Sequence, residues 1–223
     1  MKYAFLAAVL LTGAALATAP AAQAQSLRLG VKAGANYSNL SGDLADQDQY
    51  QSKFGPHAGV MANIGLLDDG FLSLQPELLF SQKGFKYDDV DIKIGNSTYK
   101  RTGKINYNYL DVPLMLRINA DGLIFEAGPQ LGYLLSVSND VKTIVNGQTS
   151  SNTSNYDDLD NVNRTELGYA AGVGYQSEGG LQLGLRYNGG LSRYGKKDAP
   201  SNEFNNARNS AFQLYLGYLF GGK

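Results

Sequence analysis

The side chains best suited to chemistry in this chain of 223 residues are few. His57 is the single histidine and cysteine is absent, which excludes thiolate nucleophiles, thiolate zinc sites and disulfide frameworks. A hydrolase needs a base close to its nucleophile, and His57 is the one imidazole available. Two carboxylates, Glu77 and Asp111, fall on neighbouring predicted strands and could act as a general acid and base if they met.

Each of these candidates has a structural alternative that we favour. His57 falls on the polar face of a predicted strand, where a hydrogen-bonded interior histidine is expected. Lys83 and Arg117 occur on the same faces as Glu77 and Asp111 and would pair with them. We therefore expect no catalytic residue, no metal site and no cofactor, and a membrane-embedded hydrolase is the least favoured alternative.

The overall composition limits the classes of function. The 19 Lys and Arg residues nearly balance the 20 Asp and Glu residues, so the basic surplus of a nucleic-acid-binding protein is missing. Charged residues make up 17% of the chain, below the roughly 25% of soluble domains, while glycine and tyrosine are abundant. This composition favours a β-rich envelope protein and predicts no nucleic-acid partner.

Apolar residues recur at every second position through most of the chain, which is the period of a β-strand. Each repeat has one strongly apolar face and a second face of small, polar or charged residues. Eight such strands are predicted, at about residues 28–37, 55–66, 72–81, 109–118, 123–133, 166–175, 181–188 and 212–220.

The connections between these strands alternate between tight and long. Residues 67–70, 119–122 and 177–180 contain the glycines of tight hairpins. The long connections are polar and lie at about 40–54, 87–103, 139–163 and 195–209. The pattern predicts an all-β fold, an eight-stranded antiparallel up-and-down transmembrane β-barrel, with its long loops at one end. A closed barrel pairs every backbone group in lipid, where water is absent.

A barrel of eight strands has an interior just wide enough to be filled by side chains. The polar faces of the strands would point inward, and unpaired charges there would be costly, so we expect ion pairs across the lumen. The predicted polar network of the lumen comprises Arg28, Lys32, His57, Glu77, Lys83, Asp111, Arg117, Glu126, Glu166 and Arg186. Which acid meets which base is left open by the sequence.

The first 24 residues have the pattern of a secretory signal peptide. Lys2 precedes an apolar run at about residues 3–19, and Ala22-Gln23-Ala24 provides a small-x-small cleavage site. We expect cleavage after residue 24, export from the cytoplasm and a barrel domain at 25–223. An uncleaved membrane anchor is the alternative.

Several motifs resemble a known family. Residues 30–40 read GVKAGANYSNL, residues 74–84 read LQPELLFSQKG, and residues 109–117 read YLDVPLMLR. These strands, with residues 128–136 and 184–191, are similar to the PorT-like outer-membrane β-barrel family. The resemblance implies an eight-stranded barrel in the bacterial outer membrane and little about activity. A named member is linked to a secretion and gliding apparatus.

The sequence therefore predicts an integral outer-membrane barrel without enzymatic activity. We expect it to contact outer-membrane lipid and to have a structural or partner-binding role, with a link to secretion or envelope assembly. The external loops, above all 139–163, are the predicted surface for a protein partner, because loops on rigid scaffolds commonly carry interaction sites. A narrow pore for ions or small solutes is the alternative.

Overall fold

The fold comes from a computed structural model that describes residues 27–42, 50–67, 69–88, 91–94, 97–156, 163–193 and 207–221. The predicted signal peptide at 1–24 lies outside these described residues. The described part is built from β-strands, in chain order β1 (Leu27–Ser41), β2 (Tyr50–Gly65), β3 (Leu72–Tyr87), β4 (Asp91–Ile94), β5 (Ser97–Ala120), β6 (Leu123–Val145), β7 (Gln148–Tyr156), β8 (Thr165–Gln176), β9 (Leu181–Gly190) and β10 (Arg208–Leu219). Within these residues, no helix is long and apolar enough to cross a membrane.

Eight of the strands form a closed antiparallel ring. Going round it, β1 pairs with β2, and then β3, β5, β6, β8, β9 and β10 follow in order. The ring closes where β10 pairs with β1, from Gly30 opposite Leu219 to Ser41 opposite Arg208. The predicted eight-stranded up-and-down architecture is confirmed.

The tight turns lie at one end of the ring, as the hairpin signals predict. Asp121 and Gly122 join β5 to β6 with φ of 50° and 92°. A turn with two positive φ angles twists in the same sense as the flanking strands. Gly70 and Gly180 also have positive φ, at 72° and 90°, in the other two turns.

The opposite end of the ring differs from the prediction, because two of the predicted loops contain strands. Within 87–103, β4 pairs with the first residues of β5. Within 139–163, β6 continues to Val145, turns at Asn146 and Gly147, and returns as β7. Asn-Gly is a strong hairpin signal with φ of 49° and 82° here, but the polar composition around it favoured a loop.

Two irregularities change which side chains face inward. The pairing of β2 with β3 shifts between Ser52 and His57, and the pairing of β5 with β6 skips Leu135. An extra residue in one strand of a pair is a β-bulge, and it reverses the alternation beyond it. As a result Leu134 and Val137 are both buried, although they are three positions apart and would face opposite sides of a regular strand. Leu135, between them, is exposed.

The outer wall of the ring is apolar and has aromatic rings near both of its ends. Its exposed leucines, valines and isoleucines belong to the faces predicted to point outward. Towards the loop end, a belt of aromatic rings crosses β2, β1, β10, β9 and β8. Phe54, Tyr37, Phe212 and Tyr169 of this belt are exposed, and Tyr187 is half-buried. Towards the turn end, Tyr175, Tyr218 and Phe220 are exposed.

Candidate functional site

The interior of the ring is filled by two groups of charged side chains and one apolar group. The group nearer the tight turns, here called the turn-side cluster, consists of Lys32, Glu77, Arg117, Glu126 and Arg186, all buried. Its members come from β1, β3, β5, β6 and β9, and the pleat of each strand turns them inward because side chains alternate between the two faces of a sheet.

Arg186 lies at the centre of the turn-side cluster. Its NH1 and NH2 groups donate to the two carboxylate oxygens of Glu77 over 2.8 and 2.9 Å. Its Nε donates to Oε1 of Glu126 over 2.8 Å. The planar guanidinium thus bridges two carboxylates, with the paired geometry that favours arginine over lysine.

Lys32, Tyr215 and Arg117 make further contacts with the two carboxylates. The Lys32 ammonium lies 2.6 Å from Oε1 of Glu77 and 4.0 Å from the centre of the Tyr215 ring. Tyr215 donates its hydroxyl to Glu126 over 3.1 Å, and Arg117 Nε lies 3.4 Å from the other oxygen of Glu126. Three cations therefore surround two carboxylates, so the turn-side cluster has an excess of positive charge.

The second group, here called the loop-side cluster, consists of Lys83, Asp111 and Glu166. The Lys83 ammonium lies 3.0 Å from Oδ2 of Asp111 and 3.2 Å from Oε1 of Glu166. Asn209 donates to the second oxygen of Glu166 and, over 3.1 Å, to the Tyr109 hydroxyl. Two carboxylates share one ammonium, so this cluster has an excess of negative charge that offsets that of the turn-side cluster.

Beyond the loop-side cluster the filling becomes apolar. Phe85 and Tyr87 continue the inward face of β3 after Lys83, and both are buried. The Phe85 ring meets the Tyr50 ring edge to face, with centroids 5.0 Å apart. We call the whole group the aromatic plug: Leu40, Tyr50, Phe85, Tyr87, Ile105, Tyr107, Tyr109, Leu134, Val137 and Ala207.

The sequence prediction did not include this plug. It described the inward face as small, polar or charged, and it followed the strand pattern of β3 only to about residue 81. Extending the same alternation through Lys83, Phe85 and Tyr87 would have revealed an apolar end. The inward position of Val137 depends on the bulge at Leu135, for which the sequence contains no local signal.

Two of the ten predicted lumen residues have unexpected surroundings. His57 is buried as expected, but neither ring nitrogen has a hydrogen-bond partner among the described residues, so the described chain does not supply the hydrogen bond predicted for it. Its ring packs against the backbone of Gly34, where a side chain would collide with His57 Cε1. Arg28 is only half-buried and donates to the backbone oxygen of Leu219 over 3.1 Å, with no carboxylate partner among the described residues.

The two carboxylates considered as an acid–base pair belong to different clusters. Glu77 is bound by Lys32 and Arg186, whereas Asp111 is bound by Lys83. Each carboxylate is thus occupied by its own cationic partners. The geometry therefore fits a structural filling better than general acid–base chemistry. Among the described residues, no group of three or more His, Cys, Asp or Glu side chains could hold a metal ion.

Glycines on the inward faces make room for the largest side chains of the filling. A Cβ on Gly184 would lie 2.4 Å from the Tyr215 ring, and one on Gly172 would lie 3.2 Å from Cβ of Arg186. Real Cβ atoms are almost never found as near as the first of these distances. Without Gly184, Tyr215 would have to move away from Glu126 and Lys32.

Comparison with known proteins gives one family and several structures. The family model described as outer membrane protein beta-barrel domain matches residues 22–194. No curated protein matches the chain in sequence. The attachment invasion locus protein Ail of Yersinia pestis is 13% identical with a TM-score of 0.44, and the match covers 86% of this chain and 98% of Ail. Neisserial surface protein A is 18% identical with a TM-score of 0.42, covering 85% and 96%.

Proposed function

Because the chain belongs to the outer membrane protein β-barrel domain family and is a protein of the bacterial outer membrane, we propose a function that does not involve catalysis. The barrel binds a protein partner through its loop end. The observation that supports this proposal most strongly is the filled interior. The two clusters and the aromatic plug occupy the lumen, so the surfaces left for recognition are the outer wall and the strands that project beyond the ring.

The strands that project at the loop end form a small sheet. The pairing order is β4, the start of β5, the end of β6 and β7. Tyr99 pairs with Val145, and Val145 in turn pairs with Gln148, so the two long ring strands β5 and β6 form the centre of the extension. A sheet anchored on two ring strands presents its surface more rigidly than a loop would.

The outer edge of this sheet suits a partner that adds a strand. β7 pairs with β6 along its whole length, from Val137–Tyr156 to Val145–Gln148, and in the described residues no strand pairs with its other edge. The backbone N–H and C=O groups of an edge strand can be completed by an extended segment of another chain. The partner predicted at 139–163 would thus bind a strand edge in place of a loop.

A shortened extension tests this proposal without changing the ring. Asn139 pairs with Ser154, so deleting 140–145 and 148–153 while keeping Asn146 and Gly147 closes the hairpin on an existing pair. We expect cross-linking in native envelopes to lose its specific protein adducts, while the barrel still folds. A matched control, Glu178→Gln, changes the turn at the opposite end of the ring and should keep them. Identical adducts in the shortened and native proteins would contradict the proposal.

Three finer assignments belong to the same proposal. We place the protein in the PorT-like type on the strand motifs at 74–84 and 109–117, and we link its role to secretion or envelope assembly. We also propose that residues 1–24 are removed after export, which N-terminal sequencing of the envelope form would test.

A pore is less favoured because the lumen is filled. Conductance steps of the native protein in planar bilayers would support a pore instead.

A further inference from the structure

A cavity of about 560 Å³ lies at the loop end of the barrel, across β2, β3, β5 and β6. Three lysines line it: Lys53, Lys86 and Lys104. Lys86 and Lys104 are exposed and alternate along their strands with the plug residues Phe85 and Ile105, so they project from the opposite, outer face of the wall. These two lysines therefore lie on the outer side of the wall, while Tyr87 of the plug and the buried Lys53 also line the cavity.

Two features of these lysines are unfavourable within the described chain. Lys86 stands directly opposite Lys104 in the pairing of β3 with β5, and like charges in that position destabilise a sheet. Lys53 is only 8% exposed, and its Nζ has no hydrogen-bond partner in the described residues. A buried ammonium without partners is unfavourable because it has lost its hydration.

Two acidic residues line the cavity together with the three lysines. Asp140 faces Lys104 across β5 and β6 and also lines the cavity with Asp88. Among the described residues, however, none of the three lysines forms an ion pair. The cavity lining therefore has one more ammonium group than it has carboxylates, and the ammonium groups of Lys86 and Lys104 are exposed to an external anion.

The position of the cavity indicates where that anion comes from. Phe54, the neighbour of Lys53, is 72% exposed, and its ring lies 4.9 Å from the Tyr37 ring in the outer aromatic belt. Exposed aromatic rings of membrane proteins sit at the level of the lipid headgroups. The lysines lie just on the loop side of this belt, the depth at which lipid phosphates are found.

We propose that this cavity binds the phosphate group of an anionic membrane lipid. Lysine ammonium groups bind phosphate oxygens as point charges, and polar side chains of Gln82, Thr102 and Asn106 line the same cavity. The lipid's acyl chains would run along the apolar wall below Phe54. A bound phosphate would relieve the repulsion between Lys86 and Lys104 and supply the partner that Lys53 lacks.

Native mass spectrometry of the detergent-solubilised protein tests the proposal. Phosphatidylglycerol, which is anionic, is compared with zwitterionic phosphatidylcholine of identical acyl chains. We expect preferential retention of phosphatidylglycerol and a weakening of about five-fold for each lysine removed. The variants are Lys86→Gln/Lys104→Gln, in which both changes are exposed, and the triple variant with Lys53→Gln. Arg193→Gln removes an exposed cation outside the cavity as the matched control.

Three outcomes would overturn the proposal. The first is equal retention of the two lipids by the native protein. The second is a loss of phosphatidylglycerol in Arg193→Gln as large as that in the double variant, because general charge would then explain the binding. The third is displacement of the lipid by glycerol phosphate at equal concentration, which would make the cavity a site for soluble phosphate. SDS gel electrophoresis of unheated samples verifies that each variant is folded, because a folded barrel resists unfolding in SDS and migrates differently from the heated sample.

Discussion

The turn-side cluster and the aromatic plug fill the same barrel by opposite means. The cluster depends on partners: Arg186 satisfies two carboxylates at once, and each carboxylate has several donors. The plug depends on shape, with rings such as Phe85 and Tyr50 in edge contact and no charge among its members. In this barrel the alternation of each strand determines which residues face inward, whereas the residues across the lumen determine whether a charged or an apolar side chain can be buried there.

The largest difference between the two fillings should appear when one charge is removed. Arg186→Met leaves Glu77 and Glu126 buried with fewer partners, and we expect it to lower the free energy of unfolding by about 3–5 kcal/mol. Urea unfolding in lipid vesicles measures this loss. The exposed Arg193→Met should change it little, and a loss below about 1 kcal/mol in Arg186→Met would show that the network is not interdependent.

In the plug, the free energy of unfolding should depend on side-chain volume, because its members carry no charge. Leu134→Ala removes a fully buried side chain, and we expect a loss of about 2–4 kcal/mol from the cavity it leaves. Its neighbour Leu135, which is 44% exposed at the bulge, offers a matched control of the same type. Similar losses from Leu134→Ala and Leu135→Ala in the same unfolding assay would contradict the inward packing of β6.

The contact between the two kinds of filling can be tested at Tyr109. Its ring belongs to the plug, while its hydroxyl accepts a hydrogen bond from Asn209 and its ring centre lies 4.7 Å from the Lys83 ammonium. Tyr109→Phe keeps the ring and removes the hydroxyl, so we expect a loss of about 1 kcal/mol. Tyr175→Phe, exposed on the outer wall near the turns, should be neutral in the same urea titration. An unchanged stability in Tyr109→Phe would mean that the hydroxyl does not couple the plug to the loop-side cluster.

The smallest effect is expected from salt. The ion pairs Lys32–Glu77 and Arg186–Glu77 are buried, and salt screens buried charges far less than exposed ones. We expect the unfolding free energy to change by less than about 0.5 kcal/mol between roughly 0.05 M and 0.5 M sodium chloride. A steep decrease of the unfolding free energy with salt would indicate that water and ions reach the lumen. The charged clusters would then not be buried as the aromatic plug is.

Much of this architecture was accessible from the sequence because its signals are local. Alternation identified the ring strands, and the glycines of Asp121-Gly122 and Ser177–Gly180 identified the turn end. The ion pairs were not accessible, since Arg186 and Glu77 are 109 residues apart in the chain and meet only across the lumen. The bulge at Leu135 depends on a mismatch with the partner strand, and no single strand's pattern reports such a mismatch.

The pairing of β1 with β10 has a consequence for how the barrel is made. Twelve residue pairs join the first described strand to the last, so this seam cannot form until nearly the whole chain is present. Contacts between distant segments are slow to form, because the intervening chain must first be ordered. Before the seam closes, the growing sheet has two unsatisfied edges that other chains could capture. Until β1 and β10 have paired, these two edges must therefore be kept from other chains.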